Sequence, residues 1–214
     1  MRPVRITLAI SAADDDSICT SQTPSGAGDL TINGALASGG VATQTAPQYL
    51  LLTTAADETG KTFTVYYTDR YGTAQTYATA GVNNTTKVLP INAKTITRVA
   101  VSAATAGAIK VGNTDVGTTK WLPVNWHAGT FQLGFGCVLT GTANYTVEFC
   151  YDNVFAIGFN EADATAFADA TIASETASQS GSFVGGPVTA ARLKINSGTG
   201  SVAMTMTQSG VAGD

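Results

Sequence analysis

Charge is what this sequence has least of. Only 12% of its 214 residues are Asp, Glu, Lys or Arg, roughly half the share of an average soluble chain. Acid–base chemistry and phosphate binding both draw on those residues, so the composition argues against an enzyme, and no residue is assigned a catalytic role. Histidine is nearly absent too. His127 stands alone, with no ligand-like spacing to a cysteine and no Gly-x-Ser-x-Gly elbow to supply a nucleophile. The chain therefore predicts no metal and no cofactor. The three cysteines, Cys19, Cys137 and Cys150, are too few for a disulfide framework. Cys137 and Cys150 flank the turn Thr140-Gly141-Thr142-Ala143-Asn144. A hairpin there would set them about one diagonal apart on one face. Two readings stay open: a pair of small buried hydrophobes, or a disulfide formed in an oxidising medium.

Long apolar runs are also missing. None approaches the ~20 residues of a membrane-spanning helix, and Ser11 and Asp14-Asp15-Asp16 follow Ile10 too closely for a secretory signal. Synthesis in a cytoplasm and no membrane partner are expected. The eleven basic residues are scattered and the net charge is −4, which argues against nucleic acid, since phosphate neutralisation needs clustered cations.

What is present is a 44% hydrophobic chain, rich in Thr, Ala, Gly, Ser and Val, arranged in short alternating runs. Alternation with period 2 predicts half-buried strands. It is clearest over 61–68 (KTFTVYYT), where Asp69-Arg70-Tyr71-Gly72 turns the chain back into 73–79. A second hairpin is read from 131–139 and 145–151, and a third closes the chain around Asn196-Ser197-Gly198-Thr199-Gly200. Further strands are read at 5–10, 29–36, 49–53, 95–102 and 108–112. Pro123 interrupts 121–126, which predicts an edge or an irregular crossing. Residues 14–28 and 160–178 read as loops, the latter with at most a short helix.

A repeat is visible. Phe63-Thr64-Val65-Tyr66-Tyr67 resembles Tyr145-Thr146-Val147-Glu148-Phe149. Val99-x-Val101 followed by Gly107, Ile109 and Val111 matches Leu193-x-Ile195 followed by Gly200, Val202 and Met204. The expected fold is all-β, one or two tandem β-sandwich or jelly-roll-like modules with long loops, divided as 1–119 and 120–214.

Candidate sites are few. Asp14-Asp15-Asp16 has the oxygens a hard cation favours but lacks the spacing of a calcium loop, and reads as a solvated turn. Glu161, Asp163 and Asp169 could supply a carboxylate pair, but sit in an Ala/Thr-rich stretch read as surface loop. Val184-Gly185-Gly186-Pro187 lacks the Gly-Lys-Ser/Thr of a phosphate loop. The best candidates for subunit contact are Trp121, Trp126, Tyr71 and Tyr151, because aromatics are enriched at interface hot spots; the two tryptophans also suit packing in a core.

One resemblance spans most of the chain. It is carried by Ser21-Gln22-Thr23-Pro24-Ser25-Gly26-Ala27-Gly28-Asp29-Leu30-Thr31-Ile32-Asn33-Gly34, by Gly60-Lys61-Thr62-Phe63-Thr64-Val65 with Thr68-Asp69-Arg70-Tyr71-Gly72, by Thr105-Ala106-Gly107 with Val111-Gly112, and by Ala191-Arg192-Leu193 with Asn196-Ser197-Gly198-Thr199-Gly200-Ser201-Val202. In these motifs and their order the chain resembles β-rich virion structural proteins of tailed bacteriophages. The resemblance implies a repeated building block of a virion that contacts copies of itself and other virion proteins. The first expectation is a capsid decoration or cement protein docked on the major capsid protein. The alternatives are a tail or head–tail connector component and a receptor- or glycan-binding fibre module.

Overall fold

The computed structural model describes residues 3–127 and 131–209. Its strands are β1 (Val4–Ala9), β2 (Asp14–Gln22), β3 (Gly28–Asp29), β4 (Ala37–Ser38), β5 (Val41–Thr54), β6 (Thr62–Thr68), β7 (Ala74–Ala80), β8 (Thr86–Val101) and β9 (Ile109–Thr118). There follow β10 (Leu122–Pro123), β11 (Gln132–Thr140), β12 (Ala143–Cys150), a single 3-10 turn at Glu161–Asp163, β13 (Phe167–Ala168), β14 (Gln179–Val184), β15 (Ala190–Gly198) and β16 (Ser201–Ser209).

The chain divides into two compact units. One is Ser11–Asp115; the other joins β1 to everything from Val116 onward. The division differs from the expected split at 119/120 at both ends. β1 pairs along its whole length with β16, Ile6 opposite Met204 and Leu8 opposite Val202, so the first strand belongs with the last. Residues 117–119, expected to precede a boundary, are a buried part of the second unit.

In the unit containing β1, one sheet has the order β1-β16-β11-β14 and the other contains β13-β12-β15, with β10 on the far side of β15. All pairs are antiparallel. Numbered by chain position, this is the eight-stranded jelly roll, in which the chain passes back and forth between two facing sheets and only β12 and β13 follow each other within one. The Ser11–Asp115 unit follows the same plan. β2, β9, β5 and the first half of β8 lie side by side, as do β3, the second half of β8, β6 and β7; the long β8 joins the two groups, with Thr95 and Ile96 paired to both β5 and β6. The Ser11–Asp115 unit is thus inserted between the first and second strands of the other.

The agreement extends to register. Phe63 lies opposite Val101 and Val65 opposite Val99; Tyr145 lies opposite Ile195 and Val147 opposite Leu193. Gly28 and Asp29 pair with Val101 and Ala100, as Gly117 and Thr118 pair with Ile195 and Lys194. The Leu30 N–H donates to the Val99 carbonyl at 2.8 Å, and the Thr119 N–H to the Leu193 carbonyl at 2.8 Å. These inward residues make up the two cores: Phe63, Val65, Ile91, Ile96 and Ile109 in one, and Tyr145, Val147, Leu193, Ile195 and Met204 in the other, all fully buried.

Two expected hairpins are sheet crossings instead. β11 and β12 lie in different sheets, as do β15 and β16. The pair bends as one ribbon: Thr140 faces Ser201 before the corner and Ala143 faces Gly198 after it. Period-2 alternation looks the same whether a strand turns back or turns a corner. The crossing also separates Cys137, opposite Met204, from Cys150, opposite Ala190. All three cysteines are free and buried. β2 arises where a loop was expected, and β14 in a stretch for which no element was read. β2 is bulged, with Ser17, Ile18 and Cys19 buried in succession, so it shows no alternation. β14 is a polar and Gly-containing edge.

Glu58 ties the corresponding corner of the Ser11–Asp115 unit. Its fully buried carboxylate accepts from the Lys61 ammonium and from the Gly107 N–H at 2.9 Å. Burial alone raises its pKa, but these donors and the Ala106 N–H outweigh burial and hold it below the ordinary value of 4.5. A carboxylate whose native pKa is lowered contributes stability that is complete above its unfolded pKa and is lost as pH falls through the native one. Glu58→Gln is therefore expected to lower stability at pH 7 and to flatten the acid limb below 4.5, read by urea unfolding at stepped pH; an unchanged acid limb would reject the assignment.

Candidate interaction surface

The jelly-roll plan sends three connections of the β1-containing unit to one end: the one after β10, the one between β12 and β13, and the one between β14 and β15. Their backbones are tied together. The Thr189 N–H donates to the Cys150 carbonyl at 3.0 Å, and the Val124 N–H to the Thr189 carbonyl at 3.2 Å. The Thr189 hydroxyl donates to the Asp152 carbonyl at 2.6 Å, and the Asp152 carboxylate accepts the Thr165 N–H at 2.6 Å. Near the end of β16, Gln208 clamps Asn125 from both sides, accepting its N–H at 2.8 Å and donating to its carbonyl at 2.6 Å. The Asn125 side chain accepts the His127 N–H at 3.2 Å.

With Val124 buried and Asn125 clamped, Trp126 is held outward. It is 51% exposed, and its ring lies 3.5 Å from that of His127. Across from it Phe155 is 50% exposed, and Ile157, three residues past the half-buried Val154, is fully exposed. Pro123, Val124, Trp126, Asn153, Phe155 and Thr189 line a groove of about 270 Å³. Large exposed hydrophobics gathered in one place mark a binding surface more often than scattered ones do.

A second aromatic group lies along the open side of the same unit. Phe149 on β12 packs against Phe183 on β14 with ring centroids 4.6 Å apart, stacks on Phe167 of β13 at 5.9 Å, and meets Tyr151 edge-on at 5.9 Å. Phe131 approaches Phe183 at 6.2 Å. Tyr151 and Phe167 remain largely exposed. The matching position in the other unit carries Tyr67, which is buried and pairs with Gln75 rather than an aromatic. This patch belongs to one unit.

The four expected contact residues thus separate. Trp126 and Tyr151 are exposed on the β1-containing unit, and Tyr71 is 56% exposed at the tip of the β6–β7 hairpin of the other. Trp121 is 2% exposed and packs with Cys150 and Ala190 under the Arg192 guanidinium, 4.2 Å from its ring. It therefore serves packing, and a contact role would need the loop above it to open. Phe155, Ile157, Phe167 and Phe183 were not singled out from the sequence. They come from separate strands and loops with no shared spacing, so only tertiary structure gathers them.

The other candidates are occupied by structural bonds. Asp14, Asp15 and Asp16 bring their carboxylates within 4.8 Å of one another, but Asp14 accepts the Asp16 N–H and Asp15 pairs with Lys110 at 3.0 Å. The Asp16 pKa is raised, first by its hydrogen bond with Asp14. Asp169 is buried and folds its own turn, accepting from the Thr171 N–H and hydroxyl and the Ile172 N–H. Glu161 lies 3.8 Å from Arg192, and Asp163 is exposed. Burial pushes the Cys19 and Cys137 thiols up to about 12 and raises Cys150 as well. A thiolate-directed reagent is accordingly expected to label none of the three in the folded protein and all three in denaturant; rapid labelling of the native chain would contradict this burial.

No protein-family model, curated protein or solved structure matches this chain.

Proposed function

We propose that this chain is a non-enzymatic structural protein of a tailed-phage particle, present in many copies, and in first place a decoration or cement protein of the head. The observation that carries this reading is the apolar end of the β1-containing unit, where Trp126, Phe155 and Ile157 stand exposed on a scaffold otherwise poor in charge. Burying such side chains against a neighbour drives association without charge steering. Jelly rolls are a recurrent plan of capsid and lectin domains, a likeness of fold that supports the reading only by analogy. The resemblance of its motifs, in their order, to those of virion structural proteins adds to it. Docked across a shell, modest contacts repeated in many symmetric copies stabilise the whole.

Quantitative mass spectrometry of purified particles, heads and tails separated, tests the proposal. Abundance in heads at a fixed ratio to the major capsid protein supports it. Presence only in tails moves the assignment to a tail or connector component, and absence from both rejects a virion role. Within the head reading, Trp126→Ala combined with Phe155→Ala is expected to lower particle occupancy at least about tenfold, the equivalent of 1.4 kcal/mol, with the fold intact by circular dichroism.

A second reading is favoured by one observation: Trp126 and Phe155 share their groove with the exposed amide of Asn153. An aromatic face beside a polar group is the arrangement a saccharide ring needs. Retention on a glycan array that is lost in Trp126→Ala would select the fibre-module reading.

A further inference from the structure

Sheet edges expose unpaired backbone groups, and soluble proteins ordinarily guard them with charge, proline, shortness or cover. Most edges of this protein are guarded. β2 carries Asp14, Asp15 and Asp16; the first half of β8 carries Lys87 and Pro90; β1 carries Arg5; β3, β10 and β13 are two residues long. β7 is uncharged, but the Lys87 ammonium lies on its Thr79 hydroxyl, 2.6 Å, and Ala80 carbonyl, 3.4 Å. β14 differs. Gln179-Ser180-Gly181-Ser182-Phe183-Val184 has no charge and no proline, and among the described residues it ends its sheet with only β11 beside it.

The direction of its backbone groups follows from β11. The Leu139 N–H reaches the Ser178 hydroxyl at 3.0 Å, so the odd-numbered residues of β11 face β14. Leu133, Phe135 and Cys137 therefore bond to Phe183, Gly181 and Gln179, their opposites. By the alternation of an antiparallel ladder, Ser180, Ser182 and Val184 turn their N–H and C=O groups away from the sheet. The Ser180 N–H is met by the neighbouring Gln179 side chain at 3.2 Å, a local substitute for a strand. All three residues are exposed, Val184 at 72%.

We propose that β14 pairs antiparallel with β14 of a second copy of this chain, about a two-fold axis at Ser182. In that register Ser182 faces Ser182 of the other copy and Ser180 faces Val184. Every facing pair exchanges two N–H···O bonds, so each outward group of the edge is satisfied. The facing side chains are small and uncharged, so neither bulk nor repulsion opposes the approach. The β1-β16-β11-β14 sheets of the two copies become one continuous sheet. The occupant is a second copy because the strand is self-complementary about its own centre, and because the guarded edges of the Ser11–Asp115 unit show that the same plan tolerates protection where no pairing occurs. The inference rests on the many-copy reading above only for bringing copies together; its failure would leave the particle location to be decided by mass spectrometry.

Sedimentation equilibrium of the full chain tests it, with two variants. Ser182→Pro removes an outward N–H and leaves the bonds to β11, which is where an edge strand tolerates proline. Ser182→Lys puts like charges on the axis. A dimeric wild type, with both variants monomeric and thermal midpoints of the monomers unchanged, supports the pairing. Amide exchange at Ser182 and Val184 should then slow as concentration rises. A wild type that stays monomeric, a dimer that survives Ser182→Lys, or a closed assembly of odd number would overturn it. Should the proline variant fail to fold, the lysine variant and the exchange rates decide.

Discussion

Arg192→Ala is expected to destabilise the β1-containing unit by about 3–5 kcal/mol, the usual effect of removing one partner of a buried ion pair. The Arg192 side chain is 7% exposed and the Glu148 side chain 9%. Nε of Arg192 lies 2.7 Å from Glu148, and its Nη1 lies 3.8 Å from Glu161. Its plane covers the Trp121 ring at 4.2 Å. Truncation leaves the buried Glu148 carboxylate with Lys194 at 3.5 Å as its remaining cation and opens a space over Trp121. The repeat supplies an internal control. Arg98 lies opposite Tyr66 in the register where Arg192 lies opposite Glu148. It too has an acidic partner, Asp29 at 2.7 Å, and an aromatic one, Tyr66 at 4.7 Å. Yet Arg98 and Asp29 are 48% and 53% exposed, and exposed pairs are worth about 0–1 kcal/mol. Arg98→Ala should therefore cost far less than Arg192→Ala. Urea unfolding of both variants checks the pair. If Arg192→Ala costs no more than Arg98→Ala, the buried cluster does not hold the unit together. Replacing Arg192 and Glu148 together with Met should recover part of the loss, because the Glu148 charge is then removed with its partner, while the buried Glu161 carboxylate still loses Arg192.

Gly198→Ala is expected to cost about 3 kcal/mol, from two causes acting at one atom. Gly198 has φ 97°, where an L side chain is strained, and a Cβ there would sit 2.5 Å from the Thr142 carbonyl oxygen and 2.8 Å from the Ala143 Cα. Both obstacles are backbone and cannot rotate away. The residue lies where β15 leaves one sheet, and the Gly200 N–H bonds the facing corner at Thr142, 2.8 Å. Widening this corner separates the two sheets. Gly136→Ala on β11 is the contrasting variant. A Cβ there meets nothing within 4 Å, so the change should be neutral or stabilising by up to about 1 kcal/mol through the unfolded chain. Thermal unfolding of the two variants separates corner geometry from glycine content. Equal midpoints would mean that the corner yields more easily than its contacts imply.

The β6–β7 hairpin was legible because its turn is local. The Asp69 carboxylate accepts the Tyr71 and Thr73 N–H groups, and Gly72 takes φ 80°. The alternating apolar residues that carry the repeat, Phe63, Val65, Val99 and Leu193, are core residues. The contact surface was legible only in part. Trp126 and Tyr151 could be named by residue type, but the clamp that turns Trp126 outward comes from Gln208, far along the chain. Trp121 stands five residues before Trp126 in the same short segment, yet it is buried by a loop whose path no spacing reveals.

By itself the sequence determined that this is an all-β protein of low charge, built from alternating strands and glycine-rich turns, with related segments in its two halves. Those properties depend on residues a few positions apart, where periodicity and turn chemistry act. Tertiary structure alone decided which strands pair. A Gly-containing turn makes a hairpin between β6 and β7 at Gly72 but a corner between β11 and β12 at Gly141, and the choice rests on which partners bury Cys137, Tyr145 and Met204. It also decided that β1 closes the later unit, and that among the described residues β14 lies at the edge of its sheet. Long-range burial sets these features, and a period of two cannot encode which of several equivalent strands will be the neighbour.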